Sequence, residues 1–334
     1  MRTRRAVITR FGGPETIEVR EAELADPGPG EVQLRVLAAG VAFGDVLKRR
    51  GMIPGLRPPF TPGYDLAGEV LRGGPGASRF RPGDRVCAFV MNGGNAEATN
   101  LPERLLVPIP AGLDAQVAAA LVLDGVTAWQ LLHREARVAP GERILVHGGG
   151  GGVGTLLLQL ARAGGAVAFA TASAAKRAVV ERFGGISIDY RLEDFVAALR
   201  RLAPEGVDAV FDPIGGAHLA RSRAVLRRGG RLVCYGASSA VGKGRAAFLP
   251  TLARIVAYRL FPRGRSAAFY GIGGRLGRED PTVREDLARV LELAARGALE
   301  PVVGARIPLG EARRAHELKE RGGPAGKVLL VPGG

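Results

Sequence analysis

The run Ile144-Leu-Val-His-Gly-Gly-Gly-Gly-Gly-Val-Gly154, continuing into Thr155-Leu-Leu-Leu-Gln-Leu-Ala-Arg162, limits what this chain can fold into more than any other stretch. Ile144, Leu145 and Val146 make a short apolar strand. After the glycines, Val153, Leu156, Leu157, Leu160 and Ala161 recur at helical spacing, so one helix face packs on a sheet. Gly149, Gly151 and Gly154 satisfy G-x-G-x-x-G, and Gly152 and Val153 lie inside the same turn. Glycines at these places permit a tight turn, admit a pyrophosphate to the backbone and let helix and strand pack closely. The helix then presents free N–H groups and a favourable dipole to the phosphates. Strand before and amphipathic helix after are the context a dinucleotide site requires.

On either side of this run the hydrophobic period differs. Before Pro110, short runs such as Ala6-Val-Ile-Thr, Ile17-Glu-Val-Arg, Val32-Gln-Leu-Arg-Val-Leu and Asp84-Arg-Val-Cys-Ala-Phe-Val90 stand between Gly/Pro turns, which predicts a mostly antiparallel unit. From Asp114 the chain reads as helix, and strands then alternate with helices through Tyr235. That order predicts a parallel, doubly wound sheet. After about Phe261 the pattern breaks into a tail too small for a domain, which is expected to complete the first unit. The expected division is 1–115 with 262–334, and 116–261.

The 334 residues carry a formal net charge of +15, but the cations are scattered arginines without a lysine-rich tail or interleaved aromatics. This argues against nucleic acid as the main partner. No apolar run comes near the roughly 18 residues of a membrane span, and Met-Arg-Thr-Arg-Arg leads into strand-like sequence, so a cytoplasmic protein is expected. Cys87 and Cys234 sit far apart in apolar runs and read as small buried hydrophobes. No histidine or cysteine is paired at ligand spacing, so no metal site is expected.

An NAD site usually carries a carboxylate about 20 residues beyond the glycine turn, bonded to the ribose 2′-hydroxyl. Here the segment is Ala170-Thr-Ala-Ser-Ala-Ala-Lys-Arg177, with no carboxylate. Ser173, Lys176 and Arg177 offer donors and positive charge to a 2′-phosphate, which predicts NADPH.

Over nearly its full length the chain resembles the zinc-free branch of the medium-chain dehydrogenase/reductase superfamily, the quinone oxidoreductase and enoyl reductase group. The likeness rests on Ala38-Ala-Gly-Val-Ala-Phe-Gly-Asp45, Pro62-Gly-Tyr-Asp-Leu-Ala-Gly-Glu-Val70, Phe80-Arg-Pro-Gly-Asp-Arg-Val86 and Asp124-Gly-Val-Thr-Ala128. Further matches are the glycine turn, Val207-Asp-Ala-Val-Phe-Asp-Pro-Ile-Gly215 and Gly326-Lys-Val-Leu-Leu. The resemblance implies a GroES-like β-rich catalytic domain, an inserted Rossmann domain, NADPH held between them, and a homodimer formed through the Rossmann sheet edge near Arg231–Tyr235. It also implies that Lys176 and Tyr190 hold the 2′-phosphate. Phe43, Asp45 and Thr127 would line the nicotinamide end, with Gly236, Phe269 and Tyr270 close by. Zinc-dependent relatives have Gly-His-Glu where this chain has Gly63-Tyr-Asp65.

Where the chain departs from that pattern, polar groups are lost. Asn is frequent in relatives at the place of Ala42, a tyrosine proton donor at that of Ile53, and Gly-Gly-Tyr-Ala-Glu at Gly93-Gly-Asn-Ala-Glu97. Tyr64 is then the candidate acid, with Asp45 beside it in the catalytic set. The expected activity is NADPH-dependent hydride transfer to a quinone or an activated alkene, such as an enone or enoyl thioester. A biosynthetic reductase acting on carrier- or CoA-bound substrates and a non-catalytic NADPH-binding protein are the competing readings.

Overall fold

In the computed structural model, which describes residues 1–276 and 280–333, β1 (Arg2–Ile8) and β2 (Ile17–Glu23) pair as an antiparallel hairpin. Strand β3 (Glu31–Val41) runs into α1 (Phe43–Arg49), a seven-residue helix that contains Gly44 and gives no periodic signal in the sequence. Next come β4 (Asp65–Gly73), β5 (Arg85–Phe89), β6 (Ala98–Pro102) and β7 (Leu106–Pro108), with α2 (Ala115–Trp129) after them. Val32, Leu34, Val36, Leu66, Val70, Val86 and Ala88 are buried together, as side chains on the inner faces of alternating strands must be.

The βα alternation follows: β8 (Arg143–His147), α3 (Gly152–Ala163), β9 (Val167–Ala172), α4 (Arg177–Arg182) and β10 (Gly185–Asp189). Then come α5 (Phe195–Leu202), β11 (Val207–Asp212), α6 (His218–Ala224), β12 (Leu226–Cys234), α7 (Leu249–Leu260), β13 (Ser266–Phe269) and α8 (Ile272–Leu276). These strands form one parallel sheet in the order β10-β9-β8-β11-β12-β13, the arrangement of a dinucleotide-binding fold. Strand β13 is therefore the sheet's edge, and Arg231–Cys234 of β12 pairs directly with it, next to the edge.

The chain ends with α9 (Pro281–Ala295), β14 (Val303–Pro308), α10 (Ala312–Glu320) and β15 (Lys327–Val331). Strand β15 pairs with β3, giving a seven-stranded sheet in the order β14-β15-β3-β4-β5-β7, with β6 also on β3. The two compact units are Met1–Val126 with Gly273–Gly334, and Thr127–Ile272. Because β13 belongs to the parallel sheet, the return to the first unit comes after Ile272, later than the expected 262.

One sequence expectation needs correction. Residues Ala115–Glu135 form a helical stretch long and apolar enough, by length and composition, to cross a membrane. Its most apolar window is 83% buried inside the protein, as in a core helix. A few polar residues interrupt the apolar run, and its continuation through a π-helical turn over Gln130–Glu135 hides its length.

Candidate cofactor and catalytic site

The glycine turn joins β8 to α3 as the sequence requires. Gly148 has φ +70°, a conformation that side chains disfavour, and a Cβ on Gly154 would lie 2.4 Å from the Gly148 oxygen. Gly149 packs against Ala170, where a Cβ would come within 2.5 Å of the alanine Cβ. Gly152 and Val153 open α3, whose first amides face the turn. The backbone is thus as bare and as tightly folded as a pyrophosphate cradle demands.

Beyond β9, Ser173 and Lys176 lie partly buried at the carboxyl end of the sheet. The Lys176 side chain crosses Gly150, so closely that a Cβ there would be 2.7 Å from it. Tyr190 follows β10 on the neighbouring strand, its N–H donating to the Ala172 carbonyl at 3.4 Å, and its ring is exposed. Gly150, Ser173, Lys176 and Tyr190 are therefore gathered at the ends of three adjacent strands. Arg177 differs from them: it is 68% exposed and paired with Glu181 along its own helix. Gly236 follows β12, packed on Pro213 so that a Cβ would meet the proline oxygen at 2.5 Å. Phe269 meets Phe248 edge-on at 5.6 Å. Tyr270 is buried and donates its hydroxyl proton to Gln130 at 2.8 Å, which commits it to the fold. Thr127 is buried in α2.

Beneath the glycine turn runs a chain of hydrogen bonds that the sequence did not reveal. Asp212 can only accept, so Ser222 Oγ donates to its Oδ2 at 2.6 Å. That leaves Ser222 to accept from His147 Nε2 at 3.1 Å, and His147 Nδ1 to accept from Thr171 Oγ1 at 3.0 Å. Thr171 in turn receives the Gly148 N–H at 3.3 Å. At the other end Asp212 Oδ1 accepts from Ile214 and Gly215 at 2.7 and 2.9 Å, and His218 reaches Oδ2 at 2.8 Å. The glycine turn and Ile214-Gly215 are thereby held by one relay. Burial pushes His147 down to about 3, against the pull of Asp212, so it stays neutral. Burial opposes the Asp212 charge, but the His218 hydrogen bond and the nearby imidazoles bring it down to about 2.

In the first unit, Phe43 begins α1 and is partly buried, and Asp45 is fully buried. Asp45 Oδ2 accepts from the Ala42 N–H and Oδ1 from the Gly63 N–H, each at 3.0 Å. Both oxygens are occupied by backbone, which suits Asp45 to fixing the helix start rather than to proton transfer. Tyr64 is 7% exposed and meets Phe89 edge-on at 6.4 Å. Burial and the nearby Asp45 hold its phenol above the usual range. Lys48, absent from the expected set, lies directly over the Tyr64 ring. Both cysteines are free and buried, and burial raises both thiols, Cys234 to about 12.

Residues 28–111 match the family described as the alcohol dehydrogenase GroES-like domain, and residues 186–330 match that described as zinc-binding dehydrogenase. The chain is 33% identical to the human synaptic vesicle membrane protein VAT-1 homolog, over 98% of this chain and 86% of that protein. It is 32% identical to a 2-haloacrylate reductase from Burkholderia, covering 98% of each. The crystal structure of Escherichia coli quinone oxidoreductase complexed with NADPH superposes with a TM-score of 0.86 at 30% identity, covering 99% of this chain and 100% of that one.

The residues present do not fit the zinc of the second family description. Tyr64 offers a neutral phenol, its ring face covered by Lys48, and Asp65 is engaged by Lys327 at 2.6 Å. Among the described residues, His147, Asp212 and His218 bring three possible ligand atoms within 4.8 Å of one another. Ser222 Oγ already stands amid them, at 3.1, 2.6 and 3.3 Å, where an ion would have to sit.

Proposed function

Starting from the chain's membership of the medium-chain dehydrogenase/reductase superfamily, in its quinone oxidoreductase group, we propose that it is an oxidoreductase that uses NADPH to reduce a quinone or an activated alkene. The observation that carries the cofactor choice is Lys176 lying across Gly150, in a segment without a carboxylate. NADPH, when bound, supplies a hydride. Gly149, Gly151, Gly152, Val153 and Gly154 hold its pyrophosphate, with Ser173, Lys176 and Tyr190 at the 2′-phosphate and Arg177 as outer charge. Phe43, Thr127, Gly236 and Phe269 are assigned to the nicotinamide, and Tyr270 is held in its own unit by Gln130. Tyr64 gives the proton that an alkene needs after hydride arrives, in place of the groups lost at Ala42 and Ile53.

Lys176→Ala should weaken NADPH binding by about 1–3 kcal/mol, the scale of a charged hydrogen bond, and leave NADH binding nearly unchanged. Equal losses for both cofactors would overturn the assignment. Oxidation of NADPH against quinones and against enones or enoyl thioesters separates the substrate classes. Silence on every acceptor with NADPH still bound would favour a binding role.

This reading includes a cytoplasmic homodimer. Its support is β13, which has no second strand partner among the described residues, and α7 packed beside it, with Leu252, Val256 and Leu260 exposed on the helix and Phe261 exposed just after it. A monomer by sedimentation at micromolar concentration would remove the dimer.

A further inference from the structure

Gly44 and Lys48 stand one turn apart on α1 and close on the Tyr64 ring together. A Cβ at Gly44 would lie 2.6 Å from a ring carbon, so only glycine lets the ring lie against the helix. Lys48 Nζ is 3.2 Å from the ring centroid, near enough for a strong cation–π contact in a desolvated place. The ammonium is only 1% exposed, donates to the Met91 carbonyl, and keeps Asp45 Oδ1 at 3.7 Å. Its N–H groups are directed to the protein and none is spare for a substrate. The Tyr64 hydroxyl is the opposite case. It has no hydrogen-bond partner among the described residues and is not among the buried unpaired atoms, so the exposed part of Tyr64 includes it.

We propose that Lys48 is a positioning residue for Tyr64, holding the ring so that its hydroxyl faces a ligand and stabilising the phenolate formed when that hydroxyl gives up its proton. This rests on the reading of Tyr64 as the acid. In the balanced step, hydride from NADPH forms the new C–H bond at the β-carbon, and the alkene π pair moves to the α-carbon and its carbonyl. The Tyr64 O–H bond breaks, its proton completes the α-carbon, and the phenolate is reprotonated from water. A reduced quinone is acidic enough to take its proton from solvent, so the pair matters for alkenes and little for quinones.

Burial and Asp45 both make Tyr64 a weaker acid than a free phenol. A cation on the ring face works against them. Burial also lowers Lys48 itself to about 8, with Asp45 and Asp65 resisting. The other charged groups near α1 are Glu15, Lys327 of β15, and His316, Lys319 and Glu320 of α10, the last bonded to Arg49 and Arg50. Raising the pH through about 8 therefore discharges the ammonium, leaves the phenol unassisted, and should lower kcat on alkenes.

The test compares kcat against pH for enone and quinone reduction in the wild type, Lys48→Arg, Lys48→Met and Tyr64→Phe. Arginine stays charged, so Lys48→Arg should move the alkaline limb to higher pH. Lys48→Met should abolish that limb and lower enone turnover about tenfold, leaving quinone turnover within about twofold. Nitrogen-15 labelling of the five lysines gives a readout independent of turnover: the Lys48 signal should titrate near pH 8, and lower in Tyr64→Leu, which removes the ring. An enone-reducing wild type whose alkaline limb is unmoved in Lys48→Arg overturns the inference alone. Full enone turnover in Tyr64→Phe overturns the assignment of the acid, and Lys48 with it. A wild type inactive on every acceptor overturns the function itself.

Discussion

The two units bury polar groups in opposite ways. The first places full charges inside: Lys327 Nζ lies 2.6 Å from Asp65 and 3.4 Å from Asp124, and Arg49 reaches Glu320 at 2.6 Å. Burial opposes the Lys327 charge, yet Asp124 and Asp65 outweigh it and hold the ammonium above the usual lysine range. The second unit keeps its polar interior mostly neutral, a directed relay from Gly148 through Thr171, His147 and Ser222 to the single carboxylate of Asp212. Charges suit the first because they tie segments distant in sequence, at the cost of collapse if one partner is lost. A neutral relay suits the second because it sets loop geometry without placing unmatched charge beneath the glycine turn.

Breaking the first arrangement should have the largest effect. Lys327→Met strands Asp65 and Asp124 in the interior and should cost about 3–5 kcal/mol in denaturant unfolding. A loss below about 1 kcal/mol would show that the triad is not holding the fold. In the second unit, His147→Leu leaves Thr171 and Ser222 without their partner and should cost about 1–3 kcal/mol, with weaker NADPH binding.

The same variant sharpens the comparison through pH. In the unfolded chain His147 takes up a proton near pH 6.5, whereas in the fold it resists down to about 3. Unfolding is therefore favoured progressively as the pH falls between those values, and the stability is fully present above 6.5. His147→Leu should flatten this acid limb, leaving the part owed to His316 in the first unit, which burial lowers to about 4. An unchanged limb would refute the neutral relay. Smallest should be Arg35→Ala, which removes a half-exposed pair with Glu69 and should change stability by about 0.5 kcal/mol or less.

What the sequence made legible was local. The glycine turn, the alternating strands and the bare segment before Lys176 declare themselves through neighbours within a few residues. The buried triad joins positions 262 and 203 residues apart, and His147 meets Ser222 across 75, so no periodicity could announce them. Lys48 escaped notice for another reason: within α1 it reads as one cation of a Lys-Arg-Arg run, and only the fold lays it on Tyr64. Arg177 is the converse case: spacing in the sequence singles it out, and only the fold shows that it pairs with Glu181 along its own helix.

The apolar helix 115–135 bears on how the protein is made. Gly125 lies so close to Val290 on α9 that a Cβ would come within 2.6 Å, so part of the cover for this helix is encoded about 165 residues downstream. At roughly 5–20 residues per second, ribosomes leave it without that cover for about ten to thirty seconds. Lys327, which neutralises Asp124 on the same helix, arrives later still. The first unit must therefore close after synthesis of the second, and during that interval a segment long and apolar enough for a bilayer is open to chaperones and to aggregation.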